Sequence, residues 1–160
     1  MIHYVFDLDD TIIMHHKHKP IPYNEIKEDK ILEKQLTNFD QPCYIYTNGT
    51  GGHALAVLEK MKLVHLFDKV YSRDTIPYIK PDYRSFNAVH DDISLRYPGK
   101  HQVYFFDDLL ENLKEANGVG WKTFWIHPNS SNGYPSFVNG GFHNIKECLE
   151  YLELNNYLFS

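Results

Sequence analysis

The chain has 160 residues, which suits one domain and leaves no room for two ordinary ones. Its 42% hydrophobic and 23% charged residues exclude wholesale disorder, and 16 Lys plus Arg against 21 Asp plus Glu, a net charge of −5, argue against a generic nucleic-acid binder. No apolar run reaches the ~18 residues of a membrane span. The opening MIHYVFDL does not read as a signal peptide, and Cys43 and Cys148 lack CxxC spacing, so a cytoplasmic protein with no membrane partner is expected.

Strand-like and helix-like segments alternate along the chain. Ile2 to Leu8 is short, apolar, β-branched and aromatic, and runs into acidic residues and Thr11. Residues 15–23 (HHKHKPIPY) hold two prolines and read as a loop, after which Asn24 is placed to cap a helix with Ile26, Ile31, Leu32 and Leu36 on its apolar face. Cys43 to Thr47 predicts a second strand, closed by Asn48-Gly49 and Gly51-Gly52. Leu55, Leu58 and Met61 recur at helical spacing within a helix from His53 to Lys62. A short strand is expected over Lys69 to Ser72, and Pro81 suits the first turn of a helix running to about Tyr97, because its missing N–H costs nothing there. Gln102 to Phe106 is a continuous apolar run ending in Asp107-Asp108, the pattern of a strand buried on both faces. A helix to about Asn117, a strand from Trp121 to His127, a long loop from Pro128 to Phe142 and a helix from Ile145 to Leu158 follow. Five strands alternating with helices imply a mostly parallel sheet covered on both faces.

In such a sheet ligands collect outside the carboxyl ends of the strands. The first strand delivers Asp7, Asp9, Asp10 and Thr11 there, the second Thr47 and Asn48, the fourth Asp107 and Asp108, and Lys80 stands just before the helix leading into the fourth. Carboxylates converging on one edge repel one another and titrate abnormally unless a cation joins them, and hard oxygen donors favour Mg²⁺.

FDLDDT (Phe6–Thr11), YTNG (Tyr46–Gly49), IKP (Ile79–Pro81) and FFDDLLEN (Phe105–Asn112) occur in an order that resembles the haloacid dehalogenase (HAD) superfamily of phosphohydrolases, and Ala116 to Trp125 looks like its last strand. The resemblance covers nearly the whole chain. The fold class it implies is α/β, a Rossmann-like three-layer α/β/α sandwich with a mostly parallel five-stranded sheet, as a single domain over residues 1–160. The activity it implies is hydrolysis of phosphate monoesters through an aspartyl-phosphate, with Mg²⁺ as cofactor. In that reading Asp7 is the nucleophile, and Asp9 is the general acid toward the leaving alcohol and then the base for water. Asp9 also lends its backbone carbonyl to the metal. Thr47, with backbone N–H groups around Asn48 and Gly49, and Lys80 hold the phosphoryl group. Asp7 and Asp108 meet the metal directly, Asp107 stands closer to the outer shell, and Asn112, one helical turn beyond Asp108, supports the site.

Only 37 residues separate Asp9 from Thr47, and Thr47 and Lys80 are 33 apart, so neither interval is expected to hold a separate cap. Capless relatives tend to accept macromolecular phosphates or to borrow a lid from a neighbouring subunit, which makes a homo-oligomer possible. The motifs look like both the pyrimidine 5′-nucleotidase branch and the magnesium-dependent phosphatase family. The substrate therefore stays open between a nucleotide, another small phosphate ester and a macromolecular phosphate. Residues 15–19 (HHKHK) and 128–142 are candidates for a substrate loop or a substitute lid, with Lys17 and Lys19 attracting an anion. A phosphomutase and a catalytically silent binding or regulatory protein are the alternatives.

Overall fold

Alternation of side chains along short apolar strands gives this chain two buried sheet faces, and each acquires its own helices. The computed structural model describes residues 1–15 and 19–155. The strands are β1 (Ile2–Phe6), β2 (Cys43–Tyr46), β3 (Lys69–Tyr71), β4 (Gln102–Asp107), β5 (Lys122–Ile126) and β6 (Gly140–Phe142). They form one parallel sheet in the order β3-β2-β1-β4-β5-β6. On one face Tyr4, Phe6, Ile45, Phe106 and Phe124 pack against α1 (Lys30–Thr37), α2 (Gly51–Met61) and α5 (Ile145–Leu154). On the other, Val5, Tyr46, Phe105 and Trp125 pack against α3 (Tyr83–Arg96) and α4 (Leu110–Gly118). The three layers expected from the sequence are present.

Aromatic side chains fill the centre. The rings of Phe6 and Phe106 stack at 4.6 Å, and those of Phe106 and Phe124 at 5.2 Å, which ties β1, β4 and β5 together side by side. The chain starts in the middle of the sheet, winds outward to β3, then crosses back to β4 beside β1. That reversal puts the topological switch point between β1 and β4, where a cleft opens at the carboxyl edge.

The structure corrects four expectations. The sheet has six strands, not five: the sixth, Gly140–Phe142, lies at the end of the segment expected to be a loop and pairs with β5. Two glycines hide it, since glycine is a poor strand former. Packing requires one of them, because a Cβ on Gly141 would come within 2.8 Å of the Tyr134 ring. Asn24 caps no long helix; it lies in a one-turn 3₁₀ segment, and α1 starts after Asp29, whose carboxylate accepts the Leu32 N–H. Pro81 stands outside α3, because Asp82 takes the Arg84 N–H and becomes the cap. The last helix ends at Leu154, and Leu158 lies outside the described residues. No helix among the described residues is long and apolar enough to cross a membrane.

His3, at the amino end of β1, is fully buried. Its Nδ1 pairs with the Tyr44 hydroxyl at 3.0 Å, and its Nε2 has no hydrogen-bond partner. Burial, reinforced by the neighbouring His101, pulls its pKa down from 6.5 to about 4. The unfolded chain therefore binds this proton more readily than the folded one, so the neutral ring's contribution is intact above pH 6.5 and lost as the pH falls toward 4. Acid titration of stability should show a loss of up to about 3 kcal/mol across that window that His3→Phe abolishes. Parallel curves for the two proteins would contradict the assignment.

Candidate active site

The residues picked out at three strand ends meet in a cavity of about 340 Å³ at the switch point, lined among others by Asp7, Asp9, Thr47, Asn48, Lys80, Asp108 and Asn112. A larger cavity of about 670 Å³, bordered by Met1, His90 and His101, lies at the amino end of the sheet and gathers no carboxylates.

Lys80 lines the smaller cavity from beneath its acids. Its ammonium is buried and donates to Asp7 Oδ1 at 3.0 Å, to Asp107 Oδ2 at 2.9 Å and to the Tyr46 carbonyl at 2.8 Å. It also lies over the Tyr46 and Phe105 rings, 4.8 and 5.4 Å from their centroids. Burial by itself would lower the lysine's pKa, but Asp107 and Asp7 outweigh it and hold the pKa above its ordinary value. The loop carrying Lys80 is tied down by Asn48, whose side-chain amide donates to the Lys80 carbonyl at 3.0 Å and accepts the Lys80 N–H at 2.8 Å. Asn48 thus spends its side-chain amide on the scaffold.

One lysine does not neutralise three acids. Asp7, Asp107 and Asp108 each place a carboxylate oxygen within 4.8 Å of the others. Burial, then the Asp107 charge, raises the pKa of Asp7 despite Lys80. Burial, then Asp107 and Asp7, raises that of Asp108. Asp107 is inaccessible and accepts from Lys80, from the Leu109 N–H at 2.9 Å and from the Asn112 amide at 3.1 Å. It acts as a fixed negative strut behind the other two. Trp125 anchors Asp108 by donating its indole N–H to the Asp108 carbonyl at 2.9 Å.

These donors suit a divalent cation. The set is all hard oxygen, a bound cation would relieve the crowding that raises the pKa values of Asp7 and Asp108, and Asn112 Oδ1 is buried beside the cavity with no hydrogen-bond partner. Thr47 accepts the Gly49 N–H at 3.0 Å through Oγ1, which shapes the turn at the end of β2.

The sequence reading missed three contacts. Thr11 donates to Asp7 Oδ2 at 3.2 Å, and both His15 and His53 reach Asp9. Thr11 follows Asp7 by one turn's spacing, so its motif carried the signal. His53 follows the Thr50 cap by three residues, and nothing in the sequence ties it to Asp9. Of the basic loop, residues 16–18, with Lys17, lie outside the described residues, while Lys19 is exposed.

The sequence profile of the haloacid dehalogenase-like hydrolases matches residues 13–126. No curated protein matches the sequence. Among solved structures, a candidate β-phosphoglucomutase from Thermotoga maritima superposes with a TM-score of 0.73 at 15% identity, covering 96% of this chain and 99% of that one. A D,D-heptose 1,7-bisphosphate phosphatase from B. bronchiseptica, complexed with magnesium and phosphate, gives 0.69 at 16% identity, covering 97% and 99%. An L-2-haloacid dehalogenase from Xanthobacter autotrophicus gives 0.61 at 15%, covering 82% and 63%. Several further neighbours are longer still, and the chain spans 52% to 58% of their length. At these identities the likeness is one of fold.

Two outcomes follow from the charge balance. Replacing Lys80 by Met leaves two buried carboxylates without their cation, and metal-free unfolding should show a loss of about 3–5 kcal/mol. A change within about 0.5 kcal/mol would contradict the role given to this lysine. The raised pKa values of Asp7 and Asp108 mean that the metal-free native state holds protons the unfolded chain releases. Stability from this pair is therefore greatest in acid and falls as the pH rises toward the native pKa values. Mg²⁺ must displace those protons, so the thermal shift it produces should be larger at pH 8.5 than at pH 6. Equal shifts would refute the assignment of these acids as ligands.

Proposed function

Because the chain belongs to the haloacid dehalogenase-like hydrolases, we propose that it is a Mg²⁺-dependent phosphomonoesterase that works through an aspartyl-phosphate on Asp7. The observation that carries the reading is the buried Lys80 bridge between Asp7 and Asp107, beside a third acid and with Asp9 lining the same cavity. Lys80 and Thr11 hold one oxygen each of the Asp7 carboxylate, which fixes its direction. Asp7, Asp108 and the free oxygen of Asn112, with the Asp9 backbone carbonyl, would hold Mg²⁺, which supplies charge neutralisation for the incoming phosphate.

An Asp7 oxygen attacks phosphorus, the phosphorus–ester oxygen bond breaks, and the leaving alcohol takes the electron pair together with a proton from Asp9. Water then bonds to phosphorus while Asp9 takes its proton. The bond to Asp7 breaks, the pair returns to the carboxylate, and inorganic phosphate leaves. Lys80, Thr47 and the backbone of the Asn48–Gly49 turn surround the position where the phosphoryl oxygens gain charge. Asp9 favours this reading over halide displacement, because halide departs as a stable anion and needs no proton, whereas an alkoxide does.

We further propose that residues 1–160 work as one domain without a separate cap, in the cytoplasm. The interval between β1 and β2 holds a 3₁₀ turn and α1 among the described residues, and that between β2 and β3 holds α2 and a 3₁₀ turn. A site so bordered suits phosphate on a nucleotide, another small ester or a macromolecule alike.

The test is phosphate release from a panel of p-nitrophenyl phosphate, nucleotides, sugar phosphates and phosphopeptides, with Mg²⁺ or with chelator. Turnover should need the metal, and Asp7→Asn should lower it at least about 10³-fold. Isomerised ester without free phosphate would point to a mutase. Silence across the panel would point to a binding protein.

A further inference from the structure

Two histidines have no part in the scheme above, and both meet at Asp9. His15 Nε2 lies 2.6 Å from Asp9 Oδ1, while His53 Nε2 lies 3.0 Å from the same oxygen and 3.1 Å from Oδ2. Their other partners locate the protons. His15 Nδ1 accepts the Ile21 N–H at 3.0 Å, so a neutral His15 carries its proton on Nε2 and donates to Asp9. His53 Nε2 faces only carboxylate oxygens and is likewise the donor, which leaves Nδ1 to accept from the Tyr23 hydroxyl at 2.7 Å. Each ring is therefore gripped at both nitrogens. His53 also stands against the phosphate-side turn: a Cβ on Gly49 would lie 3.5 Å from its Cδ2. The Thr50 cap, accepting the His53 N–H at 3.1 Å, fixes that position on α2.

We infer that His15 and His53 are positioning residues for Asp9, anchoring Oδ1 so that Oδ2 is the oxygen that exchanges the proton with substrate and water. The inference rests on the phosphomonoesterase reading. Oδ1 takes two N–H bonds, whereas Oδ2 shares a single longer one and keeps capacity for the reaction. The Asp9 side chain is 36% exposed, and among the described residues these two imidazoles are the side-chain donors that fix its rotamer for proton transfer. The protons balance within the cycle. Oδ2 gives its proton to the leaving oxygen as the ester bond breaks, then recovers one from water as that water bonds to phosphorus. The imidazole protons stay on Nε2 throughout.

The variants are His15→Ala, His53→Ala and His53→Gln, whose amide N–H can replace the Nε2 donor. Both alanine variants should lose about 10- to 100-fold in kcat on alkyl phosphates, while their first-turnover burst on p-nitrophenyl phosphate stays within about threefold. That leaving group departs without a proton. His53→Gln should recover most of the loss. Equal losses on alkyl and aryl esters, or a Gln variant no better than Ala, would overturn the inference. A second measurement needs no turnover: Asp9→Ala should shift the ¹⁵N resonances of Nε2 in both histidines more than those of Nδ1. Unmoved Nε2 resonances overturn the anchoring. If wild-type protein hydrolyses no ester yet the resonances shift, the functional reading fails and the anchoring stands.

Discussion

One ammonium group holds an acidic cleft together. Lys80 reaches Asp7, Asp107 and the carbonyl end of β2 at once, so a single buried cation links the first, second and fourth strands at their carboxyl ends. Its charge is the reason two carboxylates can be buried beside it. It is also too little charge, and the surplus shows in the raised pKa values of Asp7 and Asp108. A site that keeps more acids than cations in low dielectric is poised to take a cation and, with that cation, an anion.

The fold supplies the rigidity this requires. Asp7 follows directly on β1 and Asp107 ends β4, two neighbouring strands whose phenylalanines stack across the sheet. The neighbouring acids are thus set by ladder hydrogen bonds and ring packing rather than by loops. Asn48 fastens the Lys80 loop to the end of β2, and Trp125 fastens Asp108 from β5. Strand ends set Asp7, Asp107 and Asp108, and contacts from neighbouring elements fasten Asp108 and the Lys80 loop, the arrangement that keeps a site within tight geometric tolerance.

Much of this was legible in the residues. Continuous apolar runs ending in Asp or Thr gave the buried parallel strands and the side of the sheet where chemistry gathers, and the acids, Thr47 and Lys80 fell where that pattern put them. What stayed hidden depended on tertiary contacts. The strand over Gly140–Phe142 carries little propensity of its own and exists because β5 offers an edge and Tyr134 leaves room only for glycine. The start of α1 was displaced because Asp29, not Asn24, found a backbone N–H to accept. His53 is 44 residues from Asp9, and only the folded chain shows that α2 aims its first turn at the loop that carries Asp9.

The central claim is that an oxygen of Asp7 becomes bonded to phosphorus. The most direct measurement is a rapid acid quench during turnover with Mg²⁺ and a phosphate ester, followed by mass analysis of the peptide that holds residue 7. The account predicts one added phosphoryl group on that peptide, formed within the first turnover, absent with chelator and decaying when substrate is exhausted. Phosphate release at full rate with the peptide never modified would contradict it.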